Sequence, residues 1–133
     1  MMMFFAEAAM VLGALSASAF QPHYEEARRC LFTGRYIAET DITGTLAKKN
    51  NQFGRQVFDR YMPIFAFEAF KLGKTEAEIE FEANIGSRRF VMTTLDEING
   101  LALKARIGRY EKLLSEVVEC NRVPTLQLLP GNE

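Results

Sequence analysis

The sequence predicts an α+β fold: about four helices packed on one antiparallel β-hairpin, preceded by an apolar N-terminal helix or leader. Three observations carry this expectation. Apolar residues recur at three- and four-residue spacing in several long stretches, as in helices with one buried face. The stretch Glu76–Ala83 instead alternates strictly between acidic and apolar residues, the two-residue period of a strand. Turn-forming residues at Asn84–Ser87 then separate it from a second run, Arg88–Thr94, able to return alongside it.

With 48% apolar and 25% charged residues, the 133-residue chain is balanced for a packed domain rather than for disorder. Residues 1–20 form an apolar leader or membrane/assembly helix, and residues 21–133 a single α+β domain with an apolar tail. Sixteen basic and seventeen acidic side chains leave a net charge of -1, so no nucleic-acid partner is expected. Eleven Phe and no Trp point to rings that fill a core or a contact surface.

The leader, Met1–Phe20, has Glu7 as its one charge. As a signal peptide it has an apolar stretch, Ala8–Leu15, and small residues at Ala17-Ser18-Ala19, but no Lys or Arg before Arg28. As a retained helix, twenty residues reach about 30 Å, the thickness of a bilayer core. Ala6, Ala9, Gly13 and Ala17 would then offer a small-residue face for close helix packing, and Glu7 would be costly in lipid. As a helix buried in a protein assembly it needs no membrane. All three readings remain open. Ala17-Ser18-Ala19-Phe20, followed by Pro22, resembles the signal-peptide junction of nucleus-encoded plastid proteins in algae with red-derived complex plastids. That resemblance implies plastid import, although the acidic Glu25-Glu26 departs from the composition of a transit segment.

After Pro22, the spacing of Tyr24, Ala27, Leu31, Gly34 and Ala38 predicts an amphipathic helix. Thr40–Thr45 is a connector rich in turn residues. Helical spacing resumes with Phe53, Val57, Phe58, Tyr61 and Met62, and Pro63 is expected to end or kink that helix or to start another. Ile64–Leu72 is the most apolar part of the body. Phe65 and Phe67 alternate as in a strand, while Ile64, Phe67 and Phe70 are spaced as in a helix; the stretch reads as a core helix capped by Gly73, with an apolar surface for a partner as the other use. Gly73-Lys74-Thr75 is no phosphate loop, because Glu68 stands where that motif requires glycine.

In the hairpin a four-residue turn pairs Ala83 with Arg88, Glu82 with Arg89 and Phe81 with Phe90. Thr94 and Glu97 then form a capping box for a helix that pauses at Asn99-Gly100. Leu103, Ile107, Tyr110, Leu114 and Val117 predict a final core helix, stopped near Asn121 and Pro124. The layout of helix, hairpin and Thr-capped helix over Phe53–Val118 resembles that of small phage head-to-tail joining proteins, which implies that it can serve assembly without catalysis.

Little in the chain carries chemistry. His23 is the one histidine, and Cys30 and Cys120 match no metal-ligand spacing; they read as free or as one structural bridge. Glu76, Glu78, Glu80 and Glu82 are too spread along a strand to hold a metal. Lys104, Arg106, Arg109 and Lys112 read as a solvated helix face. No catalytic residue, metal site or cofactor is therefore expected. The expected function is a non-enzymatic accessory or structural subunit of a larger assembly, with a plastid or other membrane complex first. It would have protein partners and membrane contact through residues 1–20. The alternatives are a virion head-tail connector and a small-ligand or pigment carrier.

Overall fold

A computed structural model describes residues 23–40 and 47–131, with side chains at 23–40 and 48–122. The leader, residues 1–20, lies outside the described residues. Helix α1 is Tyr24–Glu39, α2 is Ala47–Lys71, α3 is Glu76–Phe81, α4 is Ser87–Asn99 and α5 is Leu103–Gly131. A π-helical turn, Glu82–Gly86, joins α3 to α4 without a break. The described residues are 90% helical and contain no strand, so the α+β expectation is corrected to an all-helical bundle.

The hairpin fails for a reason visible in its first turn. Glu and Ala are strong helix formers, and Thr75 caps the stretch: its hydroxyl accepts from the Glu78 N–H at 3.1 Å, while Glu78 Oε1 accepts from the Thr75 N–H at 2.8 Å. Glu76 and Glu78 also stand at the positive end of the helix dipole. The anticipated turn residues are absorbed by the π turn. Ile79 and Val91 are twelve residues apart, which in a regular α-helix is about 120° out of phase. The extra residue held in one wide turn cuts that to about 20°, so Ala83, Ser87, Val91, Thr94 and Ile98 all reach the buried side. Arg35 of α1 steadies the turn, its Nη1 donating to the Asn84 carbonyl at 2.9 Å and to Ser87 Oγ at 2.8 Å. The cross-strand pairs do not form. Glu82 pairs with Arg28 of α1 instead, and Arg89 lies over the Phe81 ring at 5.6 Å. Thr94 is buried in mid-helix and caps nothing; α4 ends at Asn99, as the spacing suggested.

Helix α1 is the centre of the bundle, burying Ala27, Cys30, Leu31, Phe32, Tyr36 and Ile37. Its chief neighbour is α2. The two cross at Gly34 and Gly54, where a Cβ on Gly54 would lie 2.5 Å from the Ala38 nitrogen and 2.8 Å from the Gly34 oxygen. The last carbonyls of α1 are satisfied from α2: Asn51 Nδ2 donates to the Ile37 and Thr40 oxygens, each at 2.7 Å.

Pro63 neither ends nor divides α2, which runs through it as one helix. A proline here forfeits the bond to the Asp59 carbonyl, and both residues lie on the exposed side, where solvent can serve that oxygen. Gly73 does cap α2 as expected, at φ 85°, with its N–H bonded to the Phe70 oxygen and the Lys74 N–H to the Ala69 oxygen.

Helix α5 continues through Pro124 to Gly131 rather than stopping at Asn121. Its buried stripe is Tyr110, Leu113, Val117 and Cys120; Leu103 and Ile107, expected in the core, are exposed. A Cys30–Cys120 disulfide ties α5 to α1, with Cα atoms 5.9 Å apart. Beside it the Tyr61 hydroxyl donates to the Cys120 carbonyl at 2.9 Å.

Candidate functional site

Among the described residues, an open concave surface lies between the C-terminal half of α2 and the start of α3. Met62, Ala66 and Phe70 stand at four-residue intervals on one side of α2, and Ile79 of α3 and Ala83 of the π turn line the groove with them. Together they form an open groove of about 680 Å³. Glu76 and Glu80, one turn apart on α3, form its acidic edge, and Lys74 closes one end. The groove sits where it does because Gly73 reverses the chain within four residues, laying α3 back along α2.

The apolar run Ile64–Leu72 therefore divides between two uses. Phe65 and Ala69 are fully buried, whereas Phe67, Phe70 and Leu72 are 54%, 71% and 63% exposed. Three large apolar side chains this exposed within six residues form a cluster of the kind that marks contact surfaces. Lys71 reaches back over the Phe67 ring at 4.8 Å and pairs with Glu68 at 3.2 Å, which holds the end of α2 in place.

A second, more polar hollow lies across α3, between Tyr24, Arg28, Lys74, Ala77, Phe81 and Glu82. Burial and the nearby Glu82 carboxylate push the Tyr24 phenol above its ordinary range, so it stays protonated at neutral pH. Tyr36 and Tyr61 are raised as well, chiefly by burial. None of these phenols is primed to transfer a proton near neutrality.

The residues weighed for chemistry are scattered. His23 is exposed at the start of α1, where its backbone N–H donates to Glu26 Oε1 at 3.1 Å. The four glutamates of this stretch separate: Glu78 caps α3, Glu82, in the π turn, pairs with Arg28, and Glu76 and Glu80 edge the groove. Hydrogen bonds from Thr75 hold the Glu78 carboxyl below its ordinary range. Among the described residues no three His, Cys, Asp or Glu gather to hold a metal ion. The basic residues of α5 are likewise spread: Arg106 donates to the Leu101 carbonyl and Arg109 lies 3.5 Å from Glu97. No described helix is long and apolar enough to cross a membrane.

The groove was not read from the sequence. Its signals were the four-residue spacing of Met62, Ala66 and Phe70 and the Thr75-x-x-Glu78 capping box, which turns the supposed strand into the opposite wall. Comparison of the chain with known protein families, with curated proteins and with solved structures finds no match.

Proposed function

We propose that this protein is a non-enzymatic accessory or structural subunit of a larger assembly, with a plastid or other membrane complex as its setting. The observation that carries the reading is the exposed apolar end of α2, Phe67, Phe70 and Leu72, beside the α2–α3 groove. A chain that buries Tyr36, Tyr61, Phe65, Leu31 and Ile37 to under 2% exposure yet leaves these apolar side chains in solvent has the economy of a subunit waiting for a neighbour. The plastid setting rests on the Ala17-Ser18-Ala19-Phe20 junction.

A small-ligand carrier is the second reading, favoured by the groove's volume, which is that of a ligand pocket. Against it, Phe70 is too exposed to enclose a ligand. The virion connector shares the assembly role, but its layout included the hairpin that is helical here.

The test is native size-exclusion with cross-linking of the full chain from its source cells. A complex well above 15.1 kDa is expected, with cross-links converging on the end of α2. Replacing Phe67 and Phe70 by Asp should release the protein without loss of helical circular dichroism, since both rings are exposed. A monomer in the native extract refutes the reading.

A further inference from the structure

We infer that this chain seats α5, and so completes its fold, only in an oxidising compartment: the Cys30–Cys120 bridge is a redox lock that closes after α1 and α5 have met and is shielded from thiols once closed. The inference goes beyond the subunit reading and does not depend on it.

Helix α5 needs such a tie because its own burial is thin. Helix α1 buries eight of its 16 residues. Among its described side chains α5 buries Tyr110, Leu113, Val117 and Cys120, and residues 103–109 include no buried one. Apolar stabilisation scales with the area removed from water, so the non-covalent hold on α5 is weak for its length.

The bridge lies where that hold runs out. Cys120 is the last buried residue among the described side chains of α5. Around it Glu116 pairs with Arg29 at 3.7 Å, the Cys120 carbonyl accepts from the Tyr61 hydroxyl at 2.9 Å, and the Asn121 carbonyl accepts from Arg60 Nη1 at 3.1 Å. Such polar contacts replace contacts with water and add little net stability each. The bridge, closing a loop across 90 residues, is the one covalent tie between α5 and the rest of the bundle. Its cysteines are 4% and 5% exposed, so in the folded chain the sulfurs lie out of reach of an attacking thiolate.

Closure is a two-electron oxidation by thiol–disulfide exchange. The thiolate of one cysteine attacks a disulfide oxidant, forming a mixed disulfide and releasing one thiol. The second cysteine thiolate then displaces the other thiol and leaves the Sγ–Sγ bond. The two electrons reduce the oxidant's disulfide, and the two cysteine protons end on its two thiols. Where a reducing thiol pool runs the exchange backwards before folding is complete, α5 stays unclamped. The folded protein therefore belongs on the exported or lumenal side of a membrane.

The test reads thiols and amide exchange. Source cells are quenched in acid, alkylated and analysed by intact mass. The chain should carry no alkyl group, and two after it is unfolded and reduced. Reduced glutathione should open the bridge of the purified full chain at least about a hundredfold more slowly when the chain is folded than when urea unfolds it. The chain is also reduced in urea and refolded in dithiothreitol, beside a variant with Cys30→Ala and Cys120→Ala. Both should lose at least about tenfold in amide protection over residues 113–120, whether α5 alone or the whole bundle opens, so a variant that fails to fold also answers. Oxidised glutathione should restore protection to the wild type and not to the variant.

Two free thiols on the chain in its source cells overturn the inference. So does a bridge reduced as fast in the folded chain as in the unfolded one. Full protection of residues 113–120 in the reduced chain overturns it too, because α5 then seats without the bridge.

Discussion

Gly54 and Gly108 are both helical glycines, and the same substitution at the two should change stability in opposite directions. At Gly54 a new Cβ would lie 2.5 Å from the Ala38 nitrogen, 2.8 Å from the Gly34 oxygen and 2.9 Å from the Ile37 carbonyl carbon. All three are backbone atoms of α1, so no side chain can swing away. Ordinary carbon contacts lie at roughly 3.5–4.0 Å, so α1 and α2 would have to part by about 1 Å at their crossing. That loosens the packing of Leu31, Ile37 and Val57, each fully buried. Overpacking of this kind costs about 3 kcal/mol at the upper end of its usual range. The better helix propensity of alanine offsets about 1 kcal/mol, leaving Gly54→Ala destabilised by about 2 kcal/mol. At Gly108 nothing lies within 4 Å of the new Cβ, and only the propensity gain of about 1 kcal/mol remains. In a domain of this size the first change should lower Tm by about 8 °C and the second raise it by about 4 °C. Thermal and urea unfolding followed at 222 nm reads both. If Gly54→Ala stabilises the chain as Gly108→Ala does, the close crossing of α1 and α2 is wrong.

Other perturbations test the remaining supports. Replacing Cys30 and Cys120 by alanine opens a loop closed across 90 residues, worth about 4.6 kcal/mol in the chain-entropy account. Urea unfolding with and without a reductant measures it, and a midpoint that reductant leaves unchanged would show that the bridge does not form. Thr75→Ala should cost about 1 kcal/mol as a lost helix cap, because α3 starts there and nowhere else. The same cap sets a pH dependence. The folded Glu78 pKa is depressed, so its stabilisation is present above the unfolded value and is lost as pH falls through the folded one. Carboxyl titration by NMR should find Glu78 below the ordinary glutamate range and Thr75→Ala should move it upward; a Glu78 that titrates normally in the wild type removes the cap.

How far the fold could be read varied with whether its signal was local. Helix α1 was legible because Ala27, Leu31 and Gly34 recur at helical spacing and all three are buried. Gly73 was legible because its role needs only its own backbone freedom. The stretch Glu76–Ala83 was misread because two local signals disagreed. Its alternation has a strand's period, but in a helix the same apolar residues fall on two sides. Ile79 and Ala83 turn inward to the groove, while Ala77 and Phe81 face the hollow by α1. The Thr75–Glu78 box pointed the other way and prevailed, since capping and propensity act before any strand partner is found.

By itself the sequence indicated strong helical segments and a cap at Gly73. Those properties depend on composition and on residues within a turn or two of one another. Only the tertiary structure decided which of the apolar residues are core and which are surface. Phe65 and Phe67 are alike in sequence, yet α1 covers one and leaves the other in solvent. The π turn depends on Arg35, about fifty residues away, and the disulfide on two helices meeting across ninety. The candidate site belongs to the same class. A groove exists only where two helices lie side by side, and no period within either helix encodes its neighbour.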